Sequence, residues 1–513
     1  MNSRFPYGAA LLGGLVLCAT AHAAFATPQE PARPNRTGAA QQTPPPGPGT
    51  LPDTPWAVWE PALPSNYART PLDAAPRTVD MVVIHDIEGT AQGCVRWFQD
   101  PRARASSHYV VDGETGKVWQ MVQERDVAWH AGNSAINRRS VGIENHGYAY
   151  RPGFYDATVY ESCARLVREV TARYGIPRDR EHIIAHAEVP DPRDPTKVGG
   201  ASHHTDPGPY WDWDAFMALV RNDAVADAVQ FPAVLRPGER VTASVTLRNL
   251  GDDPWPVADG ATGDENRVAF ARREPVYLGV WPPPSGLLPP PGGTLRTPAW
   301  TSPRFAGLPT GQRDVTASTS ARFAFPVQAP PYAGGSVTQR FRLFRVPVMP
   351  RSPVAFGPVV SATVRIDPWD LRFSAAQQNA FKAGADWRRN GGVYWAKAAP
   401  SAAAARWTAE LPIRGEWDVY ARWTAAAGRT ARAIYEVGQA DDETPVETFA
   451  VDQRAAPGGS GANAGWRRLG RVTLVPGKDG KVRPVVRLAT GAAGTVVADA
   501  VRFVGPYAPA DAL

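Results

Sequence analysis

Proline and glycine interrupt this chain so often that long helices and long flat strands have little room. The sequence of 513 residues contains 52 Pro and 47 Gly, and proline removes a backbone donor that a helix interior or a central strand requires. Few segments keep a helical spacing of apolar residues. We therefore expect mostly short strands and turns, arranged in about three domains at the usual size of roughly 150 residues.

The first residues have the pattern of an export signal followed by a spacer. Arg4 supplies a positive charge, residues 9–19 form a short apolar stretch, and residues 21–23 (Ala-His-Ala) have the small side chains of a cleavage site. The apolar stretch is too short to span a bilayer. We predict a signal peptide over residues 1–23 and an exported protein, either periplasmic or secreted. Residues 24–56 are rich in proline and predict an extended linker.

Three cysteines limit the redox chemistry of the chain. Cys18 lies in the export signal, and the bulky Leu17 before it disfavours a lipoprotein attachment site. Removal of the signal leaves Cys94 and Cys163, which both fall on predicted helices of one domain. An oxidising compartment permits a disulfide between them, and two buried free thiols are an equally open alternative. No cysteine cluster competes for a metal.

The first globular domain, residues 57–223, alternates strands and helices. Residues 79–84 and 140–145 are apolar runs that predict buried strands, and residues 108–122 predict a hairpin around a turn that contains glycine. Residues 156–174 place apolar side chains on one face at helical spacing, with an Asp at the start and a Gly after the end. These elements predict an α/β domain.

After residue 223 the chain changes to short strands broken by proline and glycine. Alternating segments predict an Ig-like β-sandwich over residues 224–367, with proline clusters in residues 282–291 as a long loop, and a third β-rich unit over residues 368–513. In this last unit, residues 417–423 place aromatic side chains on one face, and residues 495–504 predict one strand. Two roles are open for those aromatic side chains: they stack on sugar rings, or they pack in the core of the domain.

Three residues of the first domain have the character of metal ligands. His85 and His186 each end an apolar run, and Asp206 lies in a loop rich in Pro and Gly. Two imidazoles and one carboxylate give Zn²⁺ three protein ligands and leave a fourth position open, which is typical of catalytic sites. A single histidine at a strand end is more often a satisfied core or rim residue. The three residues together nevertheless predict metal-assisted hydrolysis.

Glu144 is a further candidate because it lies within an apolar strand. A carboxylate there is costly unless it has a partner or a task. Beside a zinc-activated water it would act as a general base. The alternative is a structural ion pair with Arg138 or Arg139.

Several segments of this domain carry a family resemblance. They are, in chain order, residues 83–85, 106–113, 128–132, 141–144, 185–188 and 205–209. With these segments the domain resembles the zinc-dependent N-acetylmuramoyl-L-alanine amidases related to peptidoglycan recognition proteins. The resemblance implies a mixed sheet flanked by helices and cleavage of the bond between muramic acid and L-alanine. It also implies one Zn²⁺ per chain, held by His85, His186 and Asp206, and a catalytic Glu144.

One position departs from that family. Many members carry Lys two residues before the last ligand, where this chain has His204. An imidazole can stabilise an oxyanion in the same way, and it would make the rate more sensitive to pH near neutrality. The sequence does not say whether His203 or His204 points inward, and His203 is an alternative to Asp206 as a ligand.

The remaining candidates are substrate contacts. Trp129 and His130 lie in one loop of the matching segments and are predicted to contact a muropeptide, with core packing as the alternative for Trp129. Asn145 follows Glu144 and is a candidate for a substrate contact or for a residue that supports the site.

The C-terminal half carries two further resemblances. Residues 237–238, 245–249, 255 and 356–357 resemble the four-tryptophan Ig-like domains, while residues 415–417, 465–466 and 497–503 resemble the jelly-roll module at the C-terminus of golvesin and of some xanthan lyases. That module accompanies enzymes that act on cell walls and polysaccharides. The resemblance implies accessory β-domains, a golvesin-like jelly-roll among them, which would either anchor the protein or target it to wall polysaccharide.

These observations predict an exported, monomeric, multidomain peptidoglycan hydrolase that acts on peptidoglycan or muropeptides. The alternative is a non-catalytic peptidoglycan recognition protein, which the presence of all three ligands and Glu144 disfavours. The net charge of +6 favours anionic partners. No block of Lys and Arg indicates nucleic acid, and no segment after the export signal has the length and apolar character of a membrane span.

Overall fold

The described residues form two compact units, which divide between Trp211 and Asp212. The computed structural model describes residues 52–257, 273–282, 295, 305–309, 314–347, 352–375, 381–384, 386–390, 393–397, 404–439, 442–489 and 493–507. The predicted signal peptide, most of the linker and most of the two proline clusters lie outside these residues. Within the described residues, no helix combines the length and apolar character needed to cross a membrane.

The first unit is built on a six-stranded mixed sheet. Its strands and helices are β1 (Val58–Trp59), β2 (Tyr67–Ala68), β3 (Met81–Asp86), α1 (Ala91–Phe98), β4 (Tyr109–Val111), β5 (Val118–Gln120), β6 (Val127–Ala128), α2 (Ser134–Arg139), β7 (Ser140–Asn145), α3 (Ala157–Tyr174), β8 (Ile183–Ala185), β9 (Pro190–Asp191) and β10 (Asp194–Val198). The strand order in the main sheet is β1-β5-β4-β7-β3-β8. Only the β4–β5 hairpin is antiparallel, as the glycine-containing turn predicts, while the other pairs are parallel.

Strand β3 and helix α3 form where the sequence patterns predict them. All six residues of β3 are buried, because a parallel strand in the middle of a sheet has both faces covered. Helix α3 begins after Asp156, whose carboxylate accepts from the backbone N–H groups of Thr158 and Val159. It ends at Gly175, which has a left-handed φ of 67° that glycine adopts without strain. Its apolar face is buried against the sheet.

Both cysteines of the described residues are buried free thiols. Cys94 lies in α1 and Cys163 in α3. Of the two alternatives that the sequence left open, the structure therefore has the free thiols.

The chain joins the first unit at the end of the proline-rich segment. The Asp53 carboxylate accepts from the backbone N–H of Glu124 at 2.8 Å, and Thr54 is fully buried. The Trp56 indole donates to Glu169 of α3 at 2.6 Å. Through these contacts the chain already packs on the first unit a few residues before residue 57, the predicted start of the domain.

The second unit begins with helix α4 (Trp213–Arg221), and most of its other described elements are strands. The strands of its first part are β11 (Ala224–Gln230), β12 (Val234–Leu235), β13 (Arg240–Asn249), β14 (Val276–Val280), β15 (Phe305–Gly307), β16 (Ser320–Gln328), β17 (Ser336–Arg345) and β18 (Val354–Ile366). They form a three-stranded sheet, β11-β13-β16, and a five-stranded sheet, β12-β18-β17-β14-β15.

The second part of this unit is also all β. Its strands are β19 (Trp369–Ser374), β20 (Phe381–Lys382), β21 (Arg388–Asn390), β22 (Val393–Lys397), β23 (Ala405–Thr408), β24 (Gly415–Arg422), β25 (Ala433–Gln439), β26 (Asp442–Val451), β27 (Arg467–Leu474), β28 (Pro484–Ala489), β29 (Thr495–Ala498) and β30 (Ala500–Tyr507). They form three sheets, β19-β30-β24-β27, β20-β23-β28-β25-β26 and β21-β22-β29. The C-terminal region is therefore all β, as predicted.

Two expectations for this region are resolved by the structure. Trp417 and Trp423 are 0% and 5% exposed, so these aromatic side chains pack in a core. The single strand expected over residues 495–504 is wrong, because β29 and β30 belong to different sheets. The chain changes sheets at Asp499, whose carboxylate accepts from the Arg422 guanidinium.

The two β parts of the second unit are joined by backbone contacts. The backbone N–H of Ala333 donates to the carbonyl oxygen of Pro506 at 2.6 Å. The Trp369 indole donates to the carbonyl oxygen of Pro237 at 3.2 Å, and the Arg236 guanidinium lies over the Trp369 ring. Residues from both parts therefore contribute to one packed body.

Candidate metal centre and active site

Three neighbouring parallel strands bring the candidate residues to one edge of the main sheet. His85 in β3 is in register with Glu144 in β7. On the other side of β3, β8 is in register up to Ala185, and His186 follows directly. Because the carboxyl ends of parallel strands meet at the same edge of a sheet, residues a hundred positions apart become neighbours.

Asp206 reaches this edge from a loop that the backbone holds in place. Its carbonyl oxygen accepts from the N–H of Ala187 at 3.0 Å. Gly208 has a φ of 80°, and a Cβ there would lie 2.5 Å from the carbonyl oxygen of Ala149. The close approach of these two backbones therefore requires glycine.

The three predicted ligands form one buried cluster. His85 Nδ1 lies 3.0 Å from His186 Nδ1 and 3.2 Å from Asp206 Oδ2. His186 Nδ1 lies 3.1 Å from Asp206 Oδ1. The side chains are nearly inaccessible, and one donor atom of each lies within 4.8 Å of the others. Two imidazole nitrogens and one carboxylate oxygen that converge on one point fit the ligand set of a zinc site with an open position.

The charge states of the cluster also suit metal binding, which needs neutral imidazoles and an ionised carboxylate. Burial, with the neighbouring His186, lowers the pKa of His85 to about 4. Burial alone would raise the pKa of Asp206, but the close contacts with His186 and His85 outweigh it and hold this pKa well below its usual range. At neutral pH His85 is therefore neutral and Asp206 is ionised.

Glu144 lies beside this cluster, and its side chain has no hydrogen-bond or ion-pair partner within the part of the chain that the structure describes. Its half-buried side chain lines the same cavity as the three ligands. Among the described residues, neither Arg138 nor Arg139 forms an ion pair with it, and Arg139 pairs with Asp80 instead. Burial, followed by the charges of Asp206 and Asp86, raises the pKa of Glu144 well above its usual range. A carboxyl group in this state is suited to accept and return a proton.

The structure shows which of His203 and His204 faces the cluster, a question that the sequence alone leaves open. The His204 ring stacks on His186, with centroids 4.5 Å apart and planes at 17°, and its Nδ1 lies 3.6 Å from Asp206 Oδ1. His203 Nε2 instead makes a 3.0 Å hydrogen bond with Asp191 Oδ2. Among the described residues, the group that could hold a metal ion thus contains Asp206 and not His203, and His204 lines the cavity.

The other three candidates occupy different positions around the cluster. Trp129 is half-buried and lines the cavity. His130 also borders the cavity, but its buried ring contacts His85, with Nδ1 3.0 Å from His85 Nε2. Asn145 is fully buried and donates to the carbonyl oxygen of His85 at 3.0 Å, so it supports the strand end. Contacts of these residues with a substrate stay predictions.

Comparison with known proteins decides the family. The model of the N-acetylmuramoyl-L-alanine amidase family matches residues 75–209, which include the whole cluster. N-acetylmuramoyl-L-alanine amidase A of Achromobacter lyticus is 32% identical over 176 residues, which are 32% of this chain and 93% of that protein. This chain belongs to the N-acetylmuramoyl-L-alanine amidase family.

A second curated relative is also an amidase. N-acetylmuramoyl-L-alanine amidase AmiD of Escherichia coli (strain K12) is 29% identical over 164 residues, 28% of this chain and 54% of that protein, so the match spans about half of its length. The match to the solved structure of PlyL covers 32% of this chain and 96% of that chain at 17% identity, with a TM-score of 0.25. Residues 373–505 match the golvesin C-terminal domain. The predicted amidase family, its enzymatic activity and the golvesin module are confirmed.

The amidase cavity has a volume of about 450 Å³ and includes residues that the sequence analysis missed. Asp86, which follows His85, is buried and accepts a hydrogen bond from the Tyr155 hydroxyl, and burial raises the pKa of Asp86 to about 6. The Tyr155 hydroxyl also lies 2.9 Å from the carbonyl oxygen of Pro207, beside the last ligand. The sequence did hold a signal for Asp86, because it is a second carboxylate in an apolar strand. Trp97 of α1, which is 47% exposed, lies on the cavity wall. No pattern in the sequence marks it as a residue of the site.

Proposed function

We propose that this protein is an exported, zinc-dependent amidase that cleaves the bond between N-acetylmuramic acid and L-alanine in peptidoglycan. The observation that carries the proposal is the convergence of His85, His186 and Asp206 in a cavity that Glu144 also lines. The family assignment supports the reaction. The donor set supports zinc.

His85, His186 and Asp206 would hold one zinc ion. When bound, zinc supplies Lewis acidity, which activates water and polarises the carbonyl of the scissile amide. The three side chains contribute one negative charge, so the site would keep a net positive charge that favours a developing oxyanion. The cavity keeps the chemistry in a partly buried environment, where such charges interact strongly.

Glu144 is proposed to move the proton. Its carboxylate has no competing partner among the described residues, and it lies beside the ligand cluster on the adjacent strand. It would accept a proton from the attacking water and deliver it to the amine of the leaving L-alanine. An ion-paired carboxylate could not perform both steps as readily, because the ion pair would hold it ionised.

His204 is proposed to stabilise the oxyanion. Its ring stacks on His186 at the cavity, and its side chain is 54% exposed, so an N–H donor can reach a substrate oxygen. Trp129 is proposed to line the wall on which the muropeptide rests.

The remaining parts of the proposal concern the other regions of the chain. Residues 1–23 would direct export and residues 24–56 would tether the amidase domain. The parts spanning residues 224–367 and 368–513 would be an Ig-like β-sandwich and a golvesin-like jelly-roll that bring the enzyme, as a monomer, to wall polysaccharide. The basic sequence, with a pI near 9.2, supports attraction to anionic wall polymers.

The test is mass spectrometry of purified peptidoglycan after treatment with the full-length chain. Free stem peptides that begin at L-alanine are expected, lost after zinc chelation and restored by added Zn²⁺. Intact glycan–peptide linkages under every condition would contradict the proposal. Hydrolysis that survives complete removal of the metal would contradict the zinc mechanism alone.

A further inference from the structure

The two ring nitrogens of His85 contact different neighbours. Nδ1 faces the other members of the cluster, while Nε2 lies 3.0 Å from Nδ1 of His130. The other nitrogen of His130, Nε2, lies 3.2 Å from the hydroxyl oxygen of Ser140. The side chains of His85, His130 and Ser140 are buried, so water has little access to replace these contacts.

The Ser140 hydroxyl fixes the direction of this series of hydrogen bonds. It donates to the carbonyl oxygen of Ile136 at 2.7 Å, which leaves its oxygen to accept from His130 Nε2. With the proton on Nε2, His130 presents a lone pair at Nδ1, and this lone pair accepts the Nε2 proton of His85. A neutral imidazole carries one ring proton, so His85 Nδ1 is left as a lone pair that faces the cluster.

The position of the His130 ring is fixed by the strand behind it. The rings of His85 and His130 meet edge to face, with centroids 5.1 Å apart and planes at 89°. A Cβ added at Gly142 of β7 would lie 2.5–2.7 Å from three atoms of the His130 ring. The absence of a side chain at residue 142 thus provides the space in which the ring reaches His85.

We infer that His130 is a positioning residue, which holds His85 in the tautomer and orientation that leave Nδ1 free to bind the metal, with Ser140 as its anchor. The inference rests on the proposed zinc site and adds a residue that determines how tightly zinc is held. Loss of such a partner of a ligating histidine commonly weakens metal binding by about 10-fold to 100-fold.

The experiment measures the zinc affinity of the metal-free, full-length chain by competition with a chromogenic chelator. His130→Ala is expected to weaken zinc binding by about 10-fold to 100-fold. His130→Asn should recover most of this loss, because the amide oxygen of Asn can occupy the place of Nδ1 and accept from His85. Ser140→Ala should cost about threefold to tenfold, the effect of one buried hydrogen bond.

A matched control removes another buried hydroxyl that donates to a backbone carbonyl. Thr171→Val removes the hydroxyl that donates to Val167 in α3, and its zinc affinity should equal that of the wild type. Wild-type affinity in His130→Ala, or in Ser140→Ala if His130→Ala does not fold, would overturn the inference. Equal losses in His130→Ala and His130→Asn would also overturn it. A wild-type chain that binds no zinc would instead contradict the proposed function itself.

Discussion

Replacement of Gly142 by alanine gives a sharp test of how closely the residues behind the metal centre are packed. The added Cβ would lie 2.5, 2.6 and 2.7 Å from three atoms of the His130 ring, whereas carbon atoms normally rest about 3.5–4.0 Å apart. The ring must therefore retreat by about 1 Å. That shift would stretch the 3.0 Å contact between His130 Nδ1 and His85 Nε2 beyond hydrogen-bonding distance.

The expected cost follows from these two effects. Overpacking of a buried site costs about 1–3 kcal/mol, and the lost hydrogen bond adds about 0.5–1.5 kcal/mol. We expect a lower free energy of unfolding for Gly142→Ala and a zinc affinity lower by about tenfold or more. Thermal denaturation of the metal-free protein measures the first quantity, and chelator competition measures the second.

Gly113→Ala is the matched control in the same unit. A Cβ at residue 113 would meet its nearest atoms, in His146, at 3.5 Å, an ordinary contact, so stability and zinc affinity should change little. A Gly142→Ala protein with wild-type stability and wild-type zinc affinity would refute the packing argument. A loss of stability without any loss of zinc affinity would show that the His130 ring does not control His85.

Three further predictions concern the reaction, the metal and the fold. Glu144→Gln should lower kcat by about 10²–10⁴ while the protein still binds one zinc ion by metal analysis, and near-normal turnover would contradict a role in proton transfer. Asp206→Asn should lose zinc on dialysis, since it removes the only charged ligand of the cluster, and full retention would contradict its assignment. Arg173→Ala should destabilise the first unit by about 3–5 kcal/mol, because Arg173 pairs with Glu124, whose side chain is fully buried. Urea unfolding measures this loss, and Arg139→Ala, which breaks a solvent-exposed pair with Asp80, should cost less than about 1 kcal/mol.

The parts of the structure that the sequence predicts are those with a local pattern. The apolar run of β3, the helical spacing of α3 with Asp156 and Gly175 at its ends, and the glycine turn between β4 and β5 each specify their own element. Two members of the cluster, His85 and His186, are predictable because they lie at the ends of apolar strands, and because parallel strands present their carboxyl ends at one edge. Pattern and residue chemistry therefore sufficed for His85 and His186.

Contacts between distant residues are the part that the sequence does not predict. Nothing local indicates that His130 lies behind His85, because this depends on a glycine in another strand. The selection of His204 over His203 depends on the backbone of one loop, in which His203 has a left-handed φ of 53° and turns towards Asp191. The break at Asp499 was missed because the residues on both sides of it favour strands.

The joint between the two β parts of the second unit bears on how they would bind wall polysaccharide, as proposed above. Ala333 and Pro506 are joined by backbone hydrogen bonding, and Trp369 is joined to Pro237, so no free linker separates the parts. The orientational entropy of one part relative to the other is therefore lost when the unit folds, not when it meets a ligand. A polysaccharide strand that touched both parts would find a fixed spacing, and only strands able to match it would gain from the second contact.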